Sequence, residues 1–332
     1  MILSDGIGSV EIVAIGNGRA RVTSRARGDK LLVPNSPCTT AYPEPLLRLI
    51  FEAYGSIYTC NEISREIDMA EADADVRYSY FSYFDDAHAS RPMNVLDYGC
   101  GGGASSVTLA RMLPNSSIVG CDIGEKSLAV ARARAAHHGL SQLSFHSVDA
   151  SGILPQVARS FDLVFLNAVY EHLMPAERPA VLANVWRALK PGGSLILNQT
   201  PHRWFPVEAH TSGLPLINYL PDSVAHVLTK RFSRRATAQA DWPQQLRMGI
   251  RGGTPREVVS QLDGVGEGQA LLLAPVRFAT CWAGIWYVAK RERIDRVQSS
   301  WRRAAFRLTD RLVNGLRLPF APYMNIAVRK SS

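Results

Sequence analysis

The sequence predicts an α/β fold built on a doubly wound sheet. Three observations predict it. From Asn94 onward, short apolar runs alternate with helical patterns at the spacing of strand–helix units. The first run, Asn94 to Tyr98, leads directly into the glycine-rich turn Gly99-Cys100-Gly101-Gly102-Gly103, which opens a helix. A Pro191-Gly192-Gly193 stop then separates the last helix of the series from another apolar run.

The elements follow in order. Residues 9–33 alternate apolar and polar around Gly16-Asn17-Gly18, which reads as a hairpin with an Asn-Gly turn. Helices are expected over Leu46 to Tyr54 and Asn61 to Ala72, followed by an aromatic cluster from Tyr78 to Phe84. The first five sheet strands are Asn94 to Tyr98, Ser117 to Asp122, Leu143 to Val148, Phe161 to Leu166 and Ser194 to Gln199. The helices between them are Ser105 to Leu113, Glu125 to His138 and Ala176 to Leu189. Beyond Thr200 the rhythm breaks. Ala270 to Val276 and Tyr323 to Arg329 read as the last two strands, with an Arg-rich amphipathic helix over 294–316 between them. The organisation predicted is a cap over 1–90, a ligand-binding core over 91–200, and over 201–332 an insertion with the basic helix and last strands.

Composition excludes several classes. The 332 residues are 46% hydrophobic and 20% charged, an ordinary globular balance. No run approaches the ~18 apolar residues of a membrane span. Met1 to Val10 lacks a basic start followed by an apolar run, so no secretory signal is expected. The cysteines (Cys38, Cys60, Cys100, Cys121, Cys281) are odd in number and widely spaced, which suits a reducing cytoplasm. No clustered ligand set is visible, so no metal is expected. The net charge of +8 is uneven, with 19 Lys/Arg against 7 Asp/Glu over residues 230–332. Such a tail suits an anionic partner or a solvated basic face.

The glycine turn carries the chemistry. Its spacing, Gly99-x-Gly101-x-x-Ala104, also satisfies the dinucleotide fingerprint, so a nicotinamide-dependent oxidoreductase is one alternative. Asp97 speaks against it. A carboxylate two residues before the first glycine would repel a pyrophosphate but suit a ligand bearing an ammonium group. Val95-Leu96-Asp97-Tyr98-Gly99-Cys100-Gly101-Gly102-Gly103 resembles motif I of the class I S-adenosylmethionine-dependent methyltransferases. Asp122 with Ile123, Asp149 with Ala150, Phe161-Asp162-Leu163-Val164, and Leu189-Lys190-Pro191-Gly192-Gly193 fit the family in register over about residues 94–200.

The resemblance implies a Rossmann-like sheet of seven strands, mostly parallel with an antiparallel last strand, and S-adenosylmethionine as cofactor. It implies cofactor contacts at Asp97, Gly99, Gly101, Gly103, Asp122 (ribose hydroxyls), Ile123 (adenine cover), Asp149, Ala150 and Asn167. It further implies methyl transfer to a small molecule, with a hydroxyl of a sugar, phenol or secondary metabolite favoured. A hydroxyl acceptor needs help losing its proton. The segment after the fourth strand offers Glu171-His172, similar to ubiquinone-biosynthesis-type enzymes. The segment after the fifth offers His202, Glu208 and His210. His210 is the first choice of base, with Glu208 as its orienter and His172 and His202 as further candidates. Tyr80, Tyr83 and Trp204 are expected to line the acceptor pocket. The basic helix suggests peripheral contact with a membrane and hence an amphiphilic acceptor. Nucleic acid is not an expected partner: lysine is scarce, and Asn167-Ala168-Val169-Tyr170 lacks the prolines of the family's base-modifying enzymes.

Overall fold

The computed structural model describes residues 1–27, 36–148 and 160–331. The chain begins with an antiparallel sheet of four strands, β1 (Ile2–Ser4), β2 (Gly8–Gly16), β3 (Arg19–Ala26) and β4 (Cys38–Thr40). Between β2 and β3, Asn17 and Gly18 both hold positive φ (52° and 65°), the requirement of a tight hairpin turn whose twist matches its strands. The sheet buries Val10, Ile12 and Val22 against α1 (Glu44–Ser64).

Helix α1 bends at Gly55 (φ 73°) and continues to Ser64, and α2 runs over Glu71–Phe81. The single helix expected over 61–72 is therefore two helix ends. Met69 with φ 54° marks the break, which a periodicity of apolar residues does not register. A short α3 (Asp86–Ala89) completes the cap, its Asp85 side chain accepting from the His88 N–H.

The main sheet comprises β5 (Asn94–Tyr98), β6 (Ser117–Asp122), β7 (Leu143–Ser147), β8 (Phe161–Asn167), β9 (Leu189–Pro201), β10 (Ala270–Leu272) and β11 (Tyr323–Lys330). Their order is β10-β11-β9-β8-β5-β6-β7, with seven strands. All pairs from β7 to β9 are parallel; β11 is antiparallel to β9, and β10 antiparallel to β11. The fold is thus the mostly parallel, doubly wound α/β sheet expected.

Crossovers run through α4 (Ala104–Met112), α5 (Glu125–His137) and α6 (Arg178–Ala188). After β9 come α7 (Asp222–Phe232), α8 (Trp242–Arg247) and α9 (Pro255–Asp263); α10 (Trp282–Asp295) and α11 (Ser300–Leu316) separate β10 from β11. Strand periodicity divides the core into two layers. Leu96, Leu166, Trp186 and Leu197 pack on one face of the sheet, and Val95, Phe165, Ile196 and Ile285 on the other.

Two expectations are corrected here. Tyr80 and Tyr83 belong to the second core layer. The Tyr80 hydroxyl meets His88 Nδ1 at 2.7 Å and the Tyr83 hydroxyl donates to the Asn325 carbonyl at 2.7 Å, so neither lines a ligand pocket. An aromatic residue reads alike in a core and in a pocket, since both reward its area. The basic helix over 294–316 is also not continuous: α10 ends at Asp295 and α11 starts at Ser300. Phe306, Asp310 and Val313 turn toward α10, whereas Trp301, Leu308, Leu312 and Leu316 are exposed.

Candidate active site

Strand order reverses between β5 and β8, because the chain passes outward through β6 and β7 before returning. A crevice beyond the carboxyl ends of such strands is where α/β sheets take ligands. The glycine turn opens there. Gly99, Gly101 and Gly103 have φ of 74°, 52° and 78°. A Cβ on Gly99 would stand 2.5 Å from Val169 Cγ2, and one on Gly103 would stand 2.8 Å from Ala131 Cβ. No side chain fits either position without displacement, in addition to the cost of the left-handed backbone.

Asp122, at the end of β6, ties this turn down. Its Oδ2 accepts the Gly101 N–H at 2.9 Å and its Oδ1 accepts the Gly124 N–H at 2.8 Å. Ile123 beside it is 71% exposed. Asp97 lies at the end of β5. It is fully buried, and its Oδ2 accepts from the Ser105 and Ser106 hydroxyls at 2.7 and 2.6 Å. Burial pushes its pKa up, with the two serine hydroxyls opposing. Its Oδ1 is buried without a hydrogen-bond partner, the kind of orphaned acceptor that a ligand ammonium would satisfy. Asn167 closes β8 and accepts from the Asn198 amide at 2.8 Å. Asp149 and Ala150 lie outside the described residues.

The cap closes over the turn. Arg134 of α5 is fully buried and bonds Glu62 of α1 at 2.9 Å, the Tyr42 hydroxyl at 3.0 Å and the Gly102 carbonyl. This network was not legible in the sequence, where its members stand far apart.

Near the carboxyl ends of β8 and β9 is a cavity of about 460 Å³, lined among others by Arg65, Asp75, Gln199, His210, Lys290 and Tyr323. At one wall Asp75 pairs with Lys290 at 2.6 Å and accepts from Gln199 Nε2 at 2.6 Å. Burial, against the pull of Lys290, raises Asp75 to about 6.

His210 lines the same cavity. Its Nδ1 lies 3.5 Å from the Tyr323 hydroxyl, and its ring centroid is 5.6 Å from that of His172. Burial, then the nearby His172 and Arg235, pushes His210 down to about 4, so its imidazole is neutral at physiological pH. His172 places Nδ1 2.7 Å from the Arg247 carbonyl. Glu171 is fully buried; its Oε2 accepts from the Thr200 hydroxyl at 3.2 Å, and its Oε1 has no hydrogen-bond partner. Burial pushes Glu171 up.

The remaining candidates sit elsewhere. Glu208 is buried and spends its carboxylate on its own loop. It accepts the N–H groups of His210 (3.0 Å), Thr211 (2.9 Å) and Ser212, and the Ser212 hydroxyl (2.7 Å). It shapes the turn that presents His210 and has no lone pair directed to an acceptor. His202 is buried edge-on against Trp282 at 5.0 Å and does not line the cavity. Trp204 stacks on Tyr219 at 6.0 Å and is 54% exposed, outside the cavity. Proline-rich loops carry such side chains outward as readily as inward, which sequence does not distinguish. Tyr323 and Gln199 carried no local signal, because they meet the cavity only through sheet order.

Residues 89–242 match a family model described as a methyltransferase domain. The chain is 34% identical over 115 residues to a ubiquinone biosynthesis O-methyltransferase of Rhizobium johnstonii, covering 34% of this chain and 44% of that protein. It is 27% identical over 208 residues to a trans-aconitate 2-methyltransferase of an Acidovorax species, covering 63% and 65% respectively. The chain thus spans less than two thirds of the length of these curated relatives. Among solved structures it aligns with a putative sarcosine dimethylglycine methyltransferase from Galdieria sulphuraria at 15% identity, covering 86% of this chain and 96% of that one, with a TM-score of 0.46. Strand order, glycine turn and family match agree: residues 89–242 form a methyltransferase domain of the class I S-adenosylmethionine-dependent type.

Proposed function

We propose that the protein transfers a methyl group from S-adenosylmethionine to a hydroxyl oxygen of a small molecule held in the cavity. The observation that carries this reading is that His210, Tyr323 and Gln199 line one cavity near the carboxyl ends of β8 and β9. When bound, S-adenosylmethionine would supply a sulfonium methyl: an acceptor oxygen bonds to that carbon in line as the carbon–sulfur bond breaks, the thioether leaves with the electron pair, and the hydroxyl proton passes to the His210 imidazole. The residues to hold it are Asp97, Gly99, Gly101, Gly103, Asp122, Ile123 and Asn167, with Asp149 and Ala150.

The chain's own contribution is positioning and exclusion of water. Neutral His210 accepts a hydrogen bond from the acceptor hydroxyl. A weakly basic imidazole suffices there, because the hydroxyl becomes strongly acidic only as its oxygen takes on the methyl. Glu208 fixes the loop, and His172 packs against His210. The relative named as an O-methyltransferase supports oxygen as the acceptor atom.

The test is incubation of purified enzyme and methyl-labelled S-adenosylmethionine with pools of sugars, phenols and hydroxylated metabolites, followed by mass spectrometry. A labelled ether is expected. Label only on nitrogen or carbon, or on no product while cofactor binds, would sink the reading.

The exposed side of α11 favours a second reading, with an amphiphilic acceptor met at a membrane surface. Trp301, Leu308, Leu312 and Leu316 form one apolar face, flanked by Arg302, Arg307 and Arg311. Among the described residues no helix is long and apolar enough to cross a membrane, so contact would be peripheral. Flotation with anionic vesicles, lost on Leu308→Glu with Leu312→Glu, is the expected result; no flotation of the wild type removes this reading.

A further inference from the structure

We propose that Glu171, His172 and His210 form a site for one divalent transition-metal cation, of the Zn²⁺ or Mn²⁺ class, at the edge of the acceptor cavity. One ligand-capable atom from each lies within 4.8 Å of the other two. The residues come from different places: Glu171 and His172 follow β8, and His210 is on the loop after β9. Gly249 lets the two segments meet, because a Cβ there would stand 2.8 Å from His210 Cδ2 and 3.1 Å from Glu171 Cγ.

Each donor is prepared for the role. Glu171 is wholly buried, yet its Oε1 lacks a hydrogen bond, and among the described residues its one ion-pair partner is His172, at 3.9 Å. A buried carboxylate left this way is costly unless a cation answers it. His172 faces the Arg247 carbonyl through Nδ1 at 2.7 Å. A carbonyl only accepts, so Nδ1 carries a proton, which leaves Nε2 as the nitrogen that can meet a cation. That is the outer bond by which proteins orient a metal-binding imidazole. The Tyr323 hydroxyl stands in a similar relation to His210 Nδ1, at 3.5 Å.

The donor set selects the class. Two imidazoles and one carboxylate suit borderline first-row dications, whereas Ca²⁺ and Mg²⁺ favour oxygen ligands throughout. Bonds of about 2.1 Å bring the donors closer than they stand here. Three protein ligands leave a coordination position open, and His210 directs it to the cavity. A hydroxyl bound there becomes more acidic, so the cation takes over the activation that His210, its lone pair now on the metal, gives in the metal-free protein. This role for the cation rests on the methyl-transfer reading; its binding does not.

The test is equilibrium dialysis of EDTA-treated full-length protein against MnCl₂ and, separately, ZnCl₂, with metal quantified by mass spectrometry and bound Mn²⁺ followed by electron paramagnetic resonance. One tight cation per chain is expected. Glu171→Gln and His210→Asn should each weaken it by at least about tenfold. His172→Asn, at a half-exposed position, gives the same reading with little risk to folding, and circular dichroism checks each variant. No retained metal in the wild type, or equal affinity in the wild type and all three variants, overturns the proposal. Methyl transfer is scored separately. Metal bound without methyl transfer would fault the proposed reaction and uphold the site; full transfer by protein that binds neither metal would do the reverse.

Discussion

Lys290 Nζ sits 2.6 Å from an Asp75 carboxylate oxygen, across 215 residues of sequence, at the wall of the cavity that His210 and Tyr323 also line. Both side chains are nearly buried, so the pair joins α10 to α2 where water screens little. Asp75 is raised from 3.8 to about 6 by burial, with Lys290 opposing the rise. The sign follows from linkage. The folded state holds this proton more tightly than the unfolded state, so the group's contribution favours folding below about pH 4 and weakens as pH rises through 6. Lys290→Met removes the opposing charge and leaves Asp75 to bear the full cost of ionising. The expected loss is about 3 kcal/mol at pH 8 and clearly less at pH 5, where Asp75 takes up a proton. Urea unfolding at both pH values checks it; equal losses would mean that Lys290 contributes packing alone.

Arg134 should be indispensable in a different way. It joins Glu62, the Tyr42 hydroxyl and the Gly102 carbonyl, and lies 3.4 Å from Glu66. Arg134→Met would leave two buried carboxylates without their guanidinium and release the glycine turn. A loss of roughly 3 to 5 kcal/mol in stability is expected, with weaker S-adenosylmethionine binding in whatever fraction folds. Arg134→Lys should rescue little, because one ammonium cannot span partners placed for a planar fork. Denaturant midpoints and titration calorimetry read the two effects separately.

Asp122 offers a cleaner test of the cofactor side. Its oxygens accept from Gly101 and Gly124, and the carboxylate is only half-buried, so lone pairs remain for vicinal hydroxyls. Asp122→Asn keeps the shape and removes the charge. Affinity for S-adenosylmethionine should fall about 10- to 100-fold, the scale of hydrogen bonds to a charged group, while the melting temperature changes little. Unchanged affinity would take Asp122 out of the cofactor site.

What the sequence made legible was whatever short-range pattern controls. The strands around Leu96, Leu166 and Leu197, the Asn17-Gly18 turn and the glycine turn at 99–103 each announce themselves within a few residues. Asp97 was visible as a motif, but its burial behind Ser105 and Ser106 was not. The misassigned residues share one cause. Tyr80, Tyr83, His202 and Trp204 have chemistry that suits a pocket, and only three-dimensional packing decides which of them face one. Glu171 and His172 stood side by side in the sequence, yet their relation to His210 depends on β8 and β9 being neighbours and on Gly249 letting the loops close. The exposed stripe of α11 shows the converse: a clean apolar face was evident, but its burial did not follow.

Glu208 should separate loop-shaping from catalysis. Because its carboxylate accepts from the 210–212 turn, Glu208→Ala leaves three N–H groups without their acceptor and lets His210 wander. Turnover should drop, whereas affinity for S-adenosylmethionine, whose proposed contacts are at the ends of β5 and β6, should hold within about twofold, as expected for sites without shared partners. Glu208→Gln, retaining an acceptor oxygen, should recover part of the turnover. A direct proton-transfer role would show instead as a Gln variant no better than Ala.

Gly99 permits a prediction about strain that distinguishes its two sources. Gly99→Ala adds a Cβ to a residue with φ of 74° and sets it 2.5 Å from Val169 Cγ2. The left-handed backbone costs about 1 to 2 kcal/mol for any L side chain, and the clash adds a similar amount, typical of overpacking. Val169→Ala removes the offending methyl groups but cannot change φ. In a double-mutant cycle, Gly99→Ala combined with Val169→Ala should therefore be less destabilised than the sum of the single variants, by about 1 to 2 kcal/mol. The backbone share should persist and keep cofactor affinity low even in the double variant. Strict additivity would show that the turn, not Val169, gives way, and that the glycine is required for its φ alone.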